Sequence, residues 1–112
     1  MNELTIAPAA KRDERSVELM RVQVAESKCH SVLRIGFWEG RCDERNAWGI
    51  MLADVVHHIA DAHASEYGRD REETIQKVRA AFEAEMESPT SGRMGDFVIA
   101  DEDPPKKKRR TK

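Results

Sequence analysis

The sequence predicts an α+β fold, an antiparallel β-hairpin, extendable by terminal strands, packed against two amphipathic helices. Three observations carry this. Apolar residues alternate with polar ones between Val17 and Trp38. A helical-period stripe runs from Trp48 to Ala62 between the cap Asp43 and the stop Gly68. A second helical stripe runs from Ile75 to Met86 behind Asp70.

Residues 1–15 read as an N-terminal arm: Leu4-Thr5-Ile6, then Ala7-Pro8-Ala9-Ala10 and a charged run, able to dock as an edge strand. In the hairpin, Met20, Val22 and Val24 alternate with Arg21 and Gln23. Leu33, Ile35 and Phe37 alternate with Val32, Arg34 and Gly36. Alternation of this kind gives one buried face. Cys29 shares the parity of the buried set, and His30 that of the exposed one. The turn at Glu26-Ser27-Lys28 lacks the Asn-Gly or Asp-Gly pair of a tight hairpin.

Gly40-Arg41-Cys42-Asp43 breaks the strand, and Asp43 is suited to cap a helix running to Tyr67. Gly68 supplies the left-handed stop. At about 100° per residue, Trp48, Met51, Leu52, Val55, Ile59 and Ala62 share one stripe. Gly49, Ala53, Val56, Ala60 and Ala64 form a small-residue stripe beside it. Such a helix needs cover on two sides, and small residues admit a neighbouring helix. Asp70 with Glu73 opens the next helix, which ends at Ser88-Pro89. Its stripe of Ile75, Val78, Phe82 and Met86 is narrow and flanked by charge. Residues 90–96 read as a loop, and Phe97-Val98-Ile99-Ala100 as a β-prone run that can join the hairpin.

The expected organisation is an arm over 1–15, a single α+β domain over 16–100 and a disordered acidic-then-basic tail over 101–112. About 75 residues between Val17 and Pro89 must then hold the core, near the size at which a domain becomes marginal. Homodimerisation answers this, through strand pairing or through the stripe of Gly49, Ala53 and Ala60, with Trp38 as an interface anchor.

Composition narrows the partners. The chain carries 36% charged residues and a net charge of -2. Lys106, Lys107, Lys108, Arg109, Arg110 and Lys112 contribute six positive charges, so the rest of the chain stands near -8. An acidic body disfavours phosphate contact, which leaves the tail as the only region suited to nucleic acid. Two cysteines and no apolar leader imply a reduced, cytoplasmic protein. No apolar run approaches the roughly 20 residues of a membrane span.

Asp54, His57, His58 and Asp61 are the cluster closest to chemistry. The spacings Asp54–His58 and His57–Asp61 are i,i+4, so each pair shares a helix face and could bind a metal or exchange a proton. The plainer reading makes them the solvated side of the helix, since no second ligand-bearing motif accompanies them. Cys42 precedes a helix start but has Asp43 beside it, and Cys29 reads as a core thiol. Trp48 reads as core. No Gly-rich phosphate loop, nucleophile elbow, HExxH or EF-hand loop occurs, and no cofactor is expected. Pro104-Pro105 followed by the basic run looks like a nuclear-localisation signal, which in a bacterium would only be a solvated extension.

The stretch from Ala47 to Ala60, AWGIMLADVVHHIA, preceded by Glu3-Leu4-Thr5-Ile6-Ala7-Pro8, resembles domain-of-unknown-function family 5076. Phe82-Glu83-Ala84-Glu85 with Pro89-Thr90 fits the same resemblance, which spans Glu3 to Ala100 and leaves out the basic tail. It implies a small bacterial cytoplasmic protein and brings no catalytic or binding residue. The functional expectation is therefore a non-enzymatic, homodimeric interaction or structural module. The alternatives are a metal-dependent or acid–base enzyme using Asp54, His57, His58 and Asp61, and a nucleic-acid accessory protein acting through the tail.

Overall fold

The computed structural model describes residues 1–90, 92–100 and 107–109, the last three through their backbone alone. The elements are α1 (Pro8–Arg12), β1 (Met20–Ala25), β2 (Lys28–Ile35), α2 (Glu44–Tyr67), α3 (Arg71–Glu87), β3 (Met94–Ile99) and β4 (Lys107–Arg109). They fall into two units, Met1–Phe37 with Met94–Lys112, and Trp38–Arg93.

The first unit is a mixed sheet in the order β1-β2-β3-β4. β1 pairs antiparallel with β2 from Met20↔Leu33 to Ala25↔Lys28. β3 lies parallel to β2, from His30↔Met94 to Ile35↔Ile99. A parallel pair needs a crossover, and residues 36–93 supply it. β4 pairs antiparallel with β3, Val98 opposite Lys107 and Asp96 opposite Arg109. Within the tail expected to be unstructured, residues 107–109 thus extend the sheet; Lys106, Arg110 and Lys112 lie outside the described residues.

The hairpin turn contains only Glu26 and Ser27, with φ of 54° and 64°. Positive φ at both central residues is the signature of a type I′ turn, whose twist matches that of the strands. Neither residue is glycine, so the strand pairing imposes the conformation. The arm does not become an edge strand. Pro8, favoured in a first helical turn, opens the five-residue α1.

Register places Met20, Val22, Val24, Leu33 and Phe97 on one face, as the alternation predicts. Their burial corrects the expectation of a uniformly covered face. Met20, Leu33, Ile35 and Phe37 are half-buried, whereas Val22 and Val24 are exposed. The cause is the length of β3. It reaches only to Met94, beside His30, so Val24 and Cys29 lie beyond the third strand. Val22 faces Ser31, whose neighbour on β3 is the side-chain-free Gly95. Cys29 is therefore exposed rather than core. His30 is half-buried, with Nε2 3.1 Å from the Ala25 carbonyl oxygen. Gly95 has φ 147°, and a Cβ there would collide with the Ser31 carbonyl oxygen, so the second residue of β3 must be glycine.

The second unit is a helical hairpin. Asp43 caps α2 by accepting from the Arg45 N–H at 3.1 Å. Gly68, at φ 65° and ψ 23°, ends it. Asp70 caps α3 by accepting from the Glu73 N–H at 2.9 Å. These caps satisfy donors that the first turn leaves free. Where the helices meet, Ala60 and Ile75 are buried. The other half of the α2 stripe stays open: Leu52 and Val55 are exposed, as are Phe82 and Met86 on α3.

Candidate functional site

Three side-chain clusters of the helical hairpin are built on α2. The α2–α3 turn brings Arg71, the first residue of α3, back over the middle of α2. Its Nε donates to Asp61 Oδ1 at 2.7 Å, and its Nη2 lies 3.1 Å from His57 Nδ1. A guanidinium can only donate, so Nδ1 is the acceptor in this contact. The His57–Asp61 pair expected from i,i+4 spacing is thus divided by a cation. His58 and Asp54 form a separate pair, Nε2 to Oδ2 at 3.4 Å. The Arg71 hydrogen bond holds the Asp61 carboxyl below its ordinary 3.8; desolvation is the next largest influence and opposes it, and the Arg71 charge and the nearby His58 and His57 rings add smaller lowering contributions. The four sequence candidates become one helix-to-helix cross-link and one surface pair. Among the described residues, no group of three or more His, Cys, Asp or Glu is placed to hold a metal ion.

A second cluster surrounds Glu44, the first residue of α2 and a buried one. Its Oε1 accepts from the Trp38 backbone N–H at 3.1 Å, and its Oε2 accepts from Trp48 Nε1–H at 2.9 Å. The two indoles meet edge to face, with centroids 5.9 Å apart. A carboxylate in the first turn also suits the helix dipole. Trp38, expected as an interface anchor, is half-buried in this clamp, as is Trp48. Sequence reasoning passed over Glu44, although Glu44 and Trp48 stand at i,i+4 spacing.

The third cluster closes the far end of α2. Arg69 Nη1 lies 2.9 Å from His63 Nδ1, and its guanidinium carbon sits 4.7 Å from the Tyr67 ring centroid. Beside it is an open groove of about 410 Å³, lined by Ile59, His63, Arg69, Glu73, Lys77 and Val78 among others. Of the small-residue stripe, Ala60 is taken up by the α2–α3 contact, while Gly49 and Ala53 are exposed. Both cysteines are free and exposed. Among the described residues, no helix is long and apolar enough to cross a membrane.

No curated protein matches this chain. A solved structure from the photosynthetic bacterium Rhodopseudomonas palustrus CGA009, provisionally named a pyruvate dehydrogenase, is similar with a TM-score of 0.63. Identity is 24%, over 82% of this chain and 90% of that one, so the likeness is one of fold. The family model described as Domain of unknown function (DUF5076) matches residues 3–90, from the arm through the whole of α3. The chain belongs to the DUF5076 family.

Proposed function

We propose that this protein is a non-enzymatic interaction module that works as a homodimer. One observation supports the reading above the others: the chain leaves uncovered the apolar side chains that a core would take. Among the described residues, the buried apolar ones are Ala60, Ile75 and Ala100, and no large side chain is fully buried. Val24 is 81% exposed, Ile50 72% and Met86 70%. Covering a side chain of this size fully contributes roughly 1.5–3 kcal/mol, so a partner surface gains much by engaging several together. The residues best suited to chemistry are already engaged. His57 and Asp61 are held by Arg71, and Glu44 by the two tryptophans.

Sedimentation velocity at micromolar concentration tests the proposal. A species of twice the 12.8 kDa chain mass is expected, dissociating on dilution. A single monomeric species across that range overturns the homodimer.

A further inference from the structure

Among the described residues β1 is an outer strand of the sheet, with β2 on one side and no strand on the other. Its backbone polarity follows from one bond. The Arg34 N–H donates to the Leu19 carbonyl at 2.9 Å, which makes Leu19 and Arg34 a hydrogen-bonded pair at the end of the ladder. Such pairs alternate along an antiparallel ribbon, so Arg21 and Gln23 turn their backbone groups to β2, while Met20, Val22 and Val24 turn theirs outward. Sheets protect such an edge with proline, bulges or several charges, or cover it with another segment. β1 contains no proline, keeps an unbroken register and carries Arg21 as its one charge. The N-terminal arm lies beside it. Gln23 Nε2 donates to Met1 Sδ at 3.1 Å, and Arg21 Nη1 lies 3.5 Å from Glu3 Oε2. From one contact to the other the arm advances two residues and the strand retreats two, the relation of an antiparallel pair. No ladder joins residues 1–6 to β1 in this structure, and Leu4 is exposed.

We propose that the outer edge of β1 is a strand-binding surface whose occupant is the chain's own residues 1–6, closing antiparallel with Glu3 opposite Arg21. This does not depend on the homodimer reading. The same register sets Met1 opposite Gln23. Arg21 and Gln23 give their backbone groups to β2, so against the arm they form pairs of the non-hydrogen-bonded kind, in which side chains stand closest. Those are the positions where side chains of arm and strand already touch. Between them, Asn2 falls opposite Val22 and Leu4 opposite Met20, whose outward N–H and C=O groups are the ones a new strand needs. Leu4 then joins Met20 on the apolar face of the sheet, and Glu3 and Arg21 make an opposite-charge cross-strand pair. Glu18 grips the same guanidinium at Nε, 2.9 Å away, so Glu3 closes onto a cation already held. The return from arm to strand is compact: the Ser16 hydroxyl donates to the Ala10 carbonyl and the Ser16 N–H to the Asp13 carbonyl, both at 3.0 Å. A short connection keeps the cost of closure low. The closed strap denies β1 to any other strand, and its release opens the edge.

The test uses the full chain with Cys29→Ser and Cys42→Ser, both positions being exposed. Non-hydrogen-bonded pairs hold their Cα atoms about 4.5 Å apart, within disulfide range. Added Glu3→Cys with Arg21→Cys is therefore expected to form a disulfide within one chain under mild oxidation. Glu3→Cys with Gln23→Cys, a diagonal pair at about 7–8 Å, is expected to link roughly tenfold more slowly. In the otherwise unaltered chain, Leu4→Pro removes the N–H that would donate to Met20. It is expected to speed hydrogen exchange at the Met20 and Val22 amides roughly tenfold, with an unchanged circular dichroism spectrum. Faster linkage through Gln23→Cys overturns the register and with it the proposal. Linkage only between chains overturns the arm of the same chain as the occupant. Equal exchange at Met20 and Val22 with and without Leu4→Pro overturns the strap, whatever the oligomeric state.

Discussion

The hairpin turn offers the most direct test of how the sheet is held. Glu26 and Ser27 both sit in the left-handed region, at φ 54° and 64°. For a residue bearing a Cβ this conformation costs roughly 1–2 kcal/mol. Glycine at Ser27 removes that cost but adds about 0.5–1 kcal/mol of unfolded-chain entropy. The net gain from Ser27→Gly is then about 0.5–1 kcal/mol. Asparagine tolerates the left-handed region through its short polar side chain, so Glu26→Asn adds a few tenths of a kcal/mol. The double variant is expected to gain about 1 kcal/mol, which raises the melting temperature by roughly 4–8 °C for a domain of this size. Thermal and urea unfolding followed by circular dichroism read this directly. Ser27→Val is the sign control: a β-branched side chain at positive φ is expected to destabilise by about 1 kcal/mol or more. An unchanged or lowered melting temperature in the double variant would refute the claim that strand pairing imposes the turn.

Gly95→Ala drives a Cβ into the Ser31 carbonyl at the start of the β2–β3 pairing. A loss on the order of 2–4 kcal/mol is expected, seen as early hydrogen exchange in β3. Glu44→Ala leaves the Trp38 N–H and the Trp48 indole N–H without their acceptor. It is expected to cost about 2–4 kcal/mol, with Glu44→Gln retaining part of that stability. Trp38 and Trp48 are the only tryptophans, so intrinsic fluorescence reports the change without labelling. Asp61 provides a pH test. Its folded-state pKa is depressed by Arg71, so its contribution is full above the unfolded value near 3.8 and is lost as pH falls through the folded value. The melting-temperature gap between the parent and Arg71→Gln is expected at about pH 6 and should vanish in strong acid. A gap that persists there would assign the effect of Arg71 to packing instead.

Local signals were the legible ones. Asp43, Gly68 and Asp70 mark helix ends through their own side chains or backbone freedom, and the helices start and stop where those residues say. The strand alternation correctly assigned faces, because parity needs no knowledge of neighbours. Burial does need neighbours, and β3 turned out too short to reach Val24 and Cys29. Nothing in the apolar run Phe97–Ala100 specifies a parallel partner, or that Met94–Asp96 pair as well. Arg71 illustrates the same limit in the candidate site. His57 and Asp61 stand at the right spacing to meet, and only the angle of the helix turn brings a cation between them. Glu44 was within reach, since its spacing to Trp48 is local.

The parallel pairing of β2 with β3 has a kinetic consequence. His30 and Met94 are 64 positions apart in the chain, whereas the β1–β2 ribbon and the α2–α3 hairpin close over short loops. Closing so long a loop must precede any return from its contacts, so local elements form first and this pairing last. During synthesis the ribosome delivers β3 after every residue of the helical hairpin. Until then β2 offers a second open edge beside apolar side chains, and that interval is when the nascent chain is most prone to pair with the wrong strand.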